Sequence, residues 1–285
     1  MGSATIIITR SMALASVAAA AAFRPDFASA QVDCTRSPVL PAYAHNDYQN
    51  PHPLEDALTL GFRGVEADIL LRGGELRVGH DASETRARRT LEAMYLRPLR
   101  EIAQRCGDVL GGSIPFLLNI ELKERSRAAY DSLVILLNRY PDLFGSVTGE
   151  TVVPPVQVIL VGWYPLSDSI PPLFEHRLWR QQRITKLSAA EGTQSAAAIR
   201  LVSLDYGKTI AWSGHGLQPL HAERWLTRVR AAKDEGGDRL ARAYNVPVNP
   251  AVYRLLLEGG VDLIGTKRLW DSREVLLTLG LALRR

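Results

Sequence analysis

The sequence is poor in the features that would assign it quickly. It has two cysteines, Cys34 and Cys106, in 285 residues, too few for a disulfide-built scaffold. No Gly-x-Gly-x-x-Gly follows its first strand-like run, which argues against a dinucleotide-binding fold. No apolar stretch is long enough for a confident membrane span, which takes about 20 residues. Charge of one sign does not dominate. The formal net charge is +4, and basic residues are scattered apart from a cluster at Arg86, Arg88 and Arg89. That excess is too weak to indicate nucleic acid. It suits anionic substrates or peripheral contact with a membrane surface, and equally an ordinary solvated face. Low-complexity segments and a second domain are also absent.

The first thirty residues read as a signal peptide. Arg10 ends a short basic region, Met12 to Phe23 is apolar and alanine-rich, and Ala28-Ser29-Ala30 is a small-x-small cleavage pattern. Cleavage near Ala30 implies a secreted, periplasmic or extracellular protein, and removing Arg10, Arg24 and Asp26 lowers the net charge to +3. In an oxidising compartment Cys34 and Cys106 can pair and tie down the new terminus. Sequence gives no distance between them, so bridged and free forms both stay open.

The remainder alternates strand-like and helix-like runs. Strands are expected at 39–44, 62–71, 75–78, 114–123, 156–161, near 177–181, and at 201–204, 240–244 and 261–266. Helices are expected at 54–60, 91–105 (kinked at Pro98), 126–140, 219–235, 250–258 and 269–283. Such alternation means a parallel sheet. Seven or eight units in a chain of this size predict one α/β domain, a (β/α)8 barrel over about residues 38–285.

The chemistry gathers at the ends of these strands. Glu66 and Asp68 lie two apart in an apolar run, so both face the same side of one strand. Two like charges there need a cation, and carboxylates are hard ligands for magnesium or calcium. Asn119, Glu121 and Lys123 alternate on one face of the next parallel strand. His45 ends the first strand, His80-Asp81 opens a polar loop, and Asp205 and Tyr244-Asn245 end later strands. Barrel active sites occupy this C-terminal rim. Three carboxylates (Glu66, Asp68, Glu121) can hold one divalent cation, two histidines can divide acid and base work, and Lys123 can meet a phosphoryl oxygen. Each has a plainer reading: His45 as a turn residue, His80 in a surface loop, Glu121 and Lys123 as a same-face ion pair.

Assembled, these motifs resemble the superfamily of barrel phosphodiesterases related to phosphatidylinositol-specific phospholipase C. Within it they are most similar to the branch called altered inheritance of mitochondria protein 6, beside glycerophosphodiester phosphodiesterases and spider-venom phospholipase D. The matching stretches are His-Asn-Asp-Tyr at 45–48, Gly-Val-Glu-Ala-Asp-Ile at 64–69, Val-Gly-His-Asp at 78–81, Ile-Glu-Leu-Lys at 120–123, Leu-Val-Ser-Leu-Asp-Tyr-Gly at 201–207 and Gly-Val-Asp-Leu-Ile-Gly-Thr at 260–266. The resemblance implies a metal-dependent phosphoric diester hydrolase of lipid metabolism. His45 and His80 would be catalytic, and Glu66, Asp68 and Glu121 would bind one Mg2+ or Ca2+. Lys123, Asn46, Asp205, Tyr244 and Asn245 would contact a small-molecule or lipid phosphodiester. Three departures bear on the head group. Asn46-Asp47 stand where glycerophosphodiesterases have Arg-Gly, Tyr244-Asn245-Val246-Pro247 replaces Trp-Thr-Val-Asn, and Lys267 follows Thr266 where Asp is common. Two other classes remain open at this stage: a non-catalytic binder of a phosphorylated ligand, and a metal-dependent phosphomonoester or sugar hydrolase.

Overall fold

The computed structural model describes residues 34, 37–112, 114–144, 153–163, 178–184, 199–236 and 238–283. The expected signal peptide, 1–30, lies outside them. Nine strands form: β1 (Leu40–Ala44), β2 (Phe62–Arg72), β3 (Glu75–Val78), β4 (Phe116–Leu122), β5 (Val156–Gly162), β6 (Leu178–Ile184), β7 (Ile199–Asp205), β8 (Leu240–Tyr244) and β9 (Leu263–Thr266). Eight of them pair in parallel around a closed cycle, β1-β2-β4-β5-β6-β7-β8-β9, because β9 returns to pair with β1. The ninth, β3, folds back antiparallel on β2 through the Gly73-Gly74 turn. Both glycines have positive φ, which a tight hairpin requires. The result is the expected parallel barrel with one hairpin strand outside the ring.

Around it lie α1 (Glu55–Thr59), α2 (Arg97–Cys106), α3 (Arg127–Asn138), α4 (Pro141–Phe144), α5 (Tyr206–Thr209), α6 (His221–Asp234), α7 (Pro250–Glu258) and α8 (Leu269–Thr278). Ser126 caps α3 by accepting from the Ala129 N–H, and Asn249 caps α7 through Ala251 and Val252. Proline has no N–H to give the preceding turn. Around Pro98 the helix accordingly changes hand-hold: a π-type turn at Glu92–Leu96 runs into α2. The last helix is shorter than its apolar pattern suggests. Gly280 turns the chain at φ 68°, and Leu283 then bridges back to Val39 at the foot of β1. Among the described residues no helix is long and apolar enough to cross a membrane.

Cys34 and Cys106 form a disulfide across 72 residues, joining the segment before β1 to the end of α2. Closing a loop of that length removes denatured-state entropy worth ~4 kcal/mol in the chain-entropy account. Replacing both cysteines by serine should therefore lower the thermal midpoint by roughly 10 °C. A midpoint unmoved in differential scanning calorimetry would show that the bridge contributes nothing.

Strand register sorts the interior into layers. Gly64, Glu66 and Asp68 on β2 sit opposite Leu117, Asn119 and Glu121 on β4. Leu201, Ser203 and Asp205 on β7 sit opposite Leu240, Arg242 and Tyr244 on β8. Tyr43, Leu117, Ile159, Leu201 and Leu263 pack together as an apolar floor. A Cβ on Gly265 would lie 2.4 Å from the Tyr43 ring, so the glycine makes the room that ring needs. Above the floor comes a polar layer, and above that the open rim.

Candidate metal centre and active site

Glu66, Asp68 and Glu121 converge. One carboxylate oxygen from each lies within 4.8 Å of the others. Glu66 and Asp68 are buried, and Glu121 is partly so. Asp68 shows most clearly what the site lacks. Its Oδ2 accepts the Tyr48 hydroxyl at 2.9 Å and lies 3.5 Å from Lys123 Nζ. Its Oδ1 is buried with no partner among the described residues. A buried carboxylate oxygen left unpaired is costly, and a divalent ion held by three carboxylates would relieve that cost. Burial first, then the neighbouring Glu66 charge, pushes the Asp68 carboxyl up to about 7, against the pull of Lys123. The donor set thus fits a hard divalent cation.

A pH dependence follows. A carboxyl raised in the folded state favours folding below its ordinary range and loses that contribution as pH rises toward 7. Cation binding needs the deprotonated form, so it gains over the same window. Magnesium or calcium should therefore raise the melting temperature more at pH 8 than at pH 5. Equal shifts at both pH values would exclude Asp68 as a ligand.

Lys123 is not the only cation that balances these acids. Arg242, at the centre of β8, donates through Nη1 to Glu66 Oε2 and through Nε to Ser203 Oγ at 2.9 Å. Its guanidinium lies 4.8 Å from the Tyr43 ring centre and 5.5 Å from that of Tyr244. Burial alone would raise the Glu66 carboxyl, but Arg242, aided by His45 and Lys123, holds it below its usual range. Glu66 therefore stays ionised with one oxygen committed to Arg242. Its Oε1 lies 3.7 Å from His45 Nε2.

His45 sits against Tyr244, ring centres 5.9 Å apart and near perpendicular. Burial lowers the imidazole below its usual range; Arg242, Lys267 and Lys123 lower it further, and Glu66 opposes. At neutral pH it is an unprotonated ring poised to accept a proton. Lys123 bridges two carboxylates, 3.4 Å from Glu121 and 3.5 Å from Asp68.

The loop after His45 explains one departure noted in the sequence. Asn46 takes a left-handed turn at φ 52°, is nearly buried, and makes no side-chain hydrogen bond among the described residues. Asp47 points inward. It accepts from the Leu54 N–H at 2.6 Å, the Tyr95 hydroxyl at 3.0 Å and Asn50 Nδ2 at 3.2 Å. Burial raises its carboxyl to about 6 despite those bonds. Asp47 anchors the loop that aims His45 and carries Tyr48 to Asp68.

The other candidates are more dispersed. Asp205 accepts from Asn245 Nδ2 at 3.0 Å and pairs with Lys208 at 3.5 Å, forming a polar group beside Tyr244 at the β7–β8 rim. His80 follows Gly79, whose N–H donates to the Asp68 carbonyl at 3.0 Å, so the loop starts beside β2. The His80 ring is solvent-exposed, and no contact joins it to His45 or the carboxylates among the described residues. Arg242, Tyr48, Asp47 and Tyr95 escaped sequence reading. For Arg242 the signal was present: in Leu-Ala-Arg-Ala-Tyr it shares the face of Tyr244, with small alanines on the other side.

A parallel eight-stranded ring thus carries three acids, a lysine and a histidine at its C-terminal rim, the place where barrel active sites sit. Comparison with known proteins narrows the class. Residues 33–110 match the AIM6-like phosphodiesterase domain. The chain is 26% identical over 261 residues to an altered inheritance of mitochondria protein 6 homolog of Arthroderma benhamiae, covering 81% of this chain and 82% of that protein. Altered inheritance of mitochondria protein 6 of Lachancea thermotolerans is 31% identical over 45% of this chain and 35% of its own length. The Eremothecium gossypii protein of that name is 30% identical over 50% and 42%. A solved glycerophosphodiester phosphodiesterase from Agrobacterium tumefaciens overlays 82% of this chain and 98% of its own, with a TM-score of 0.44 and 15% identity. The chain is thus similar to the AIM6-like phosphodiesterase domain over residues 33–110 and to an altered inheritance of mitochondria protein 6 homolog over most of its length.

Proposed function

We propose that the protein is a divalent-metal-dependent phosphoric diester hydrolase acting on a glycerophosphodiester or lysophospholipid. The observation that carries this reading is the buried, unpartnered Asp68 oxygen within a trio of carboxylates, with His45 Nε2 3.7 Å from one of them, Glu66. Glu66, Asp68 and Glu121 would hold the cation, Mg2+ or Ca2+. When bound it would polarise a phosphoryl oxygen and neutralise developing charge. Lys123 would offer a point charge to a second non-bridging oxygen. His45 would take the proton from the attacking hydroxyl or water. His80, on a loop that starts beside β2, is the candidate to protonate the leaving oxygen. Arg242 would keep Glu66 ionised and oriented without touching substrate.

The disulfide supports export to an oxidising compartment, and N-terminal sequencing of secreted protein tests cleavage near Ala30. For the reaction itself, a panel of phosphodiesters, phosphomonoesters and glycosides should be assayed with Mg2+, with Ca2+ and with chelator. Metal-dependent turnover confined to diesters is expected. Turnover of monoesters or glycosides alone, or ligand binding without turnover, would refute the assignment.

A further inference from the structure

Among the described residues, the rim carries positive charge that the reaction proposed above does not use. Five carboxylates and cations meet in the centre: Glu66, Asp68 and Glu121 against Arg242 and Lys123. A divalent ion would bring that group to one net positive charge, which the single negative charge of a phosphodiester neutralises. Asp205, a further acid at the end of β7, already has Lys208 at 3.5 Å.

Four cations stand at strand ends or one step below them: Lys123 after β4, Arg183 on β6, Arg242 on β8 and Lys267 after β9. Lys123 and Arg242 are committed to carboxylates. Arg183 and Lys267 are exposed, and neither has a carboxylate within ion-pair distance among the described residues. Lys267, just past β9, meets only a neutral amide, Gln49 Oε1, at 3.3 Å. Arg183, near the end of β6, is in register with Ser203, whose hydroxyl faces the barrel interior and holds Arg242. Arg183 thus belongs to the inward-facing row of β6, one step below the mouth. At the β7–β8 rim, Tyr244, Asp205 and Asn245 supply hydrogen-bonding groups.

We propose that Arg183 is the cation of a head-group subsite that selects diesters carrying a second negative charge, such as a carboxylate, on the polar arm. An arginine fork matches a carboxylate's two oxygens. The subsite would also do the work left by the Asn46-Asp47 pair, which supplies no cation after His45. This rests on the diesterase reading and specifies its substrate class.

Glycerophosphoserine and glycerophosphoethanolamine differ only by a carboxylate, and test it. Each should be offered to metal-loaded wild type and to Arg183→Ala, Arg183→Lys and Arg183→Glu for turnover. Each should also be titrated calorimetrically into His45→Ala and into His45→Ala with Arg183→Ala. Wild type should favour the serine compound about tenfold in kcat/KM, one charge-assisted contact's worth. Arg183→Ala should erase the preference, Arg183→Lys keep part of it, and Arg183→Glu invert it, with the same ratios in binding. The matching lysophospholipid pair shows whether the head group arrives on a lipid or free. Cleavage of both compounds without preference would overturn the subsite while leaving the diesterase reading intact. So would a preference that survives Arg183→Ala. Failure to bind or cleave either would remove the diesterase reading and the subsite with it.

Discussion

Arg242→Ala is expected to be the most damaging single change in the barrel. It leaves Glu66, which is buried at 2% exposure, charged and unpaired. Breaking a buried pair from one side typically costs ~3–5 kcal/mol. In a domain of this size that is a fall of roughly 10 °C in the thermal midpoint. The same change removes the stack on Tyr43 and Tyr244 and frees the ring that packs against His45. The double variant Arg242→Leu with Glu66→Gln should recover much of the loss, because no uncompensated charge remains. A single variant as stable as wild type would mean that Glu66 is already balanced by other groups. A double variant no better than the single would place the damage in lost packing.

The second large effect is on turnover. His45→Ala should lower kcat by about 100- to 10,000-fold, the ordinary contribution of a general base, with metal affinity little changed. Because burial and three nearby cations hold the imidazole below its usual range, the acid limb of the pH–rate profile should fall below pH 6.5. Protonation of the base is what switches the enzyme off there, and the limb should vanish in the variant. His80→Ala is the sharper question, since its ring is exposed and joined to no site residue described. If it is the acid, the loop must bring it inward with substrate bound, and the alkaline limb should go. Near wild-type turnover in either variant would remove that histidine from the mechanism.

Much of this was legible in the sequence because β-strands report their faces. Glu66 and Asp68, or Glu121 and Lys123, are two apart, and a charge on an otherwise apolar strand has to point somewhere useful. The hairpin signal at Gly73-Gly74 and the cap signal at Asn249 were equally readable, since each satisfies a local backbone need. What escaped were contacts between residues far apart in the chain. Arg242 and Glu66 are 176 positions apart, and their pairing exists only once β8 and β2 close the same ring. The role of Asp47 escaped for the same reason: its partners, Leu54 and Tyr95, lie on later segments. The end of α8 was overrun because Leu281 and Leu283 continue the apolar pattern, although Gly280 has already turned the chain toward Val39.

The central claim is that Glu66, Asp68 and Glu121 hold one divalent cation on which diester hydrolysis depends. The most direct test is a titration of Mg2+ or Ca2+ into chelated protein, following turnover of a glycerophosphodiester at pH 8. Turnover should rise from background and saturate as one site fills, and Asp68→Asn should abolish that rise. Full turnover in the chelated protein, or an unchanged titration curve in Asp68→Asn, would contradict the claim.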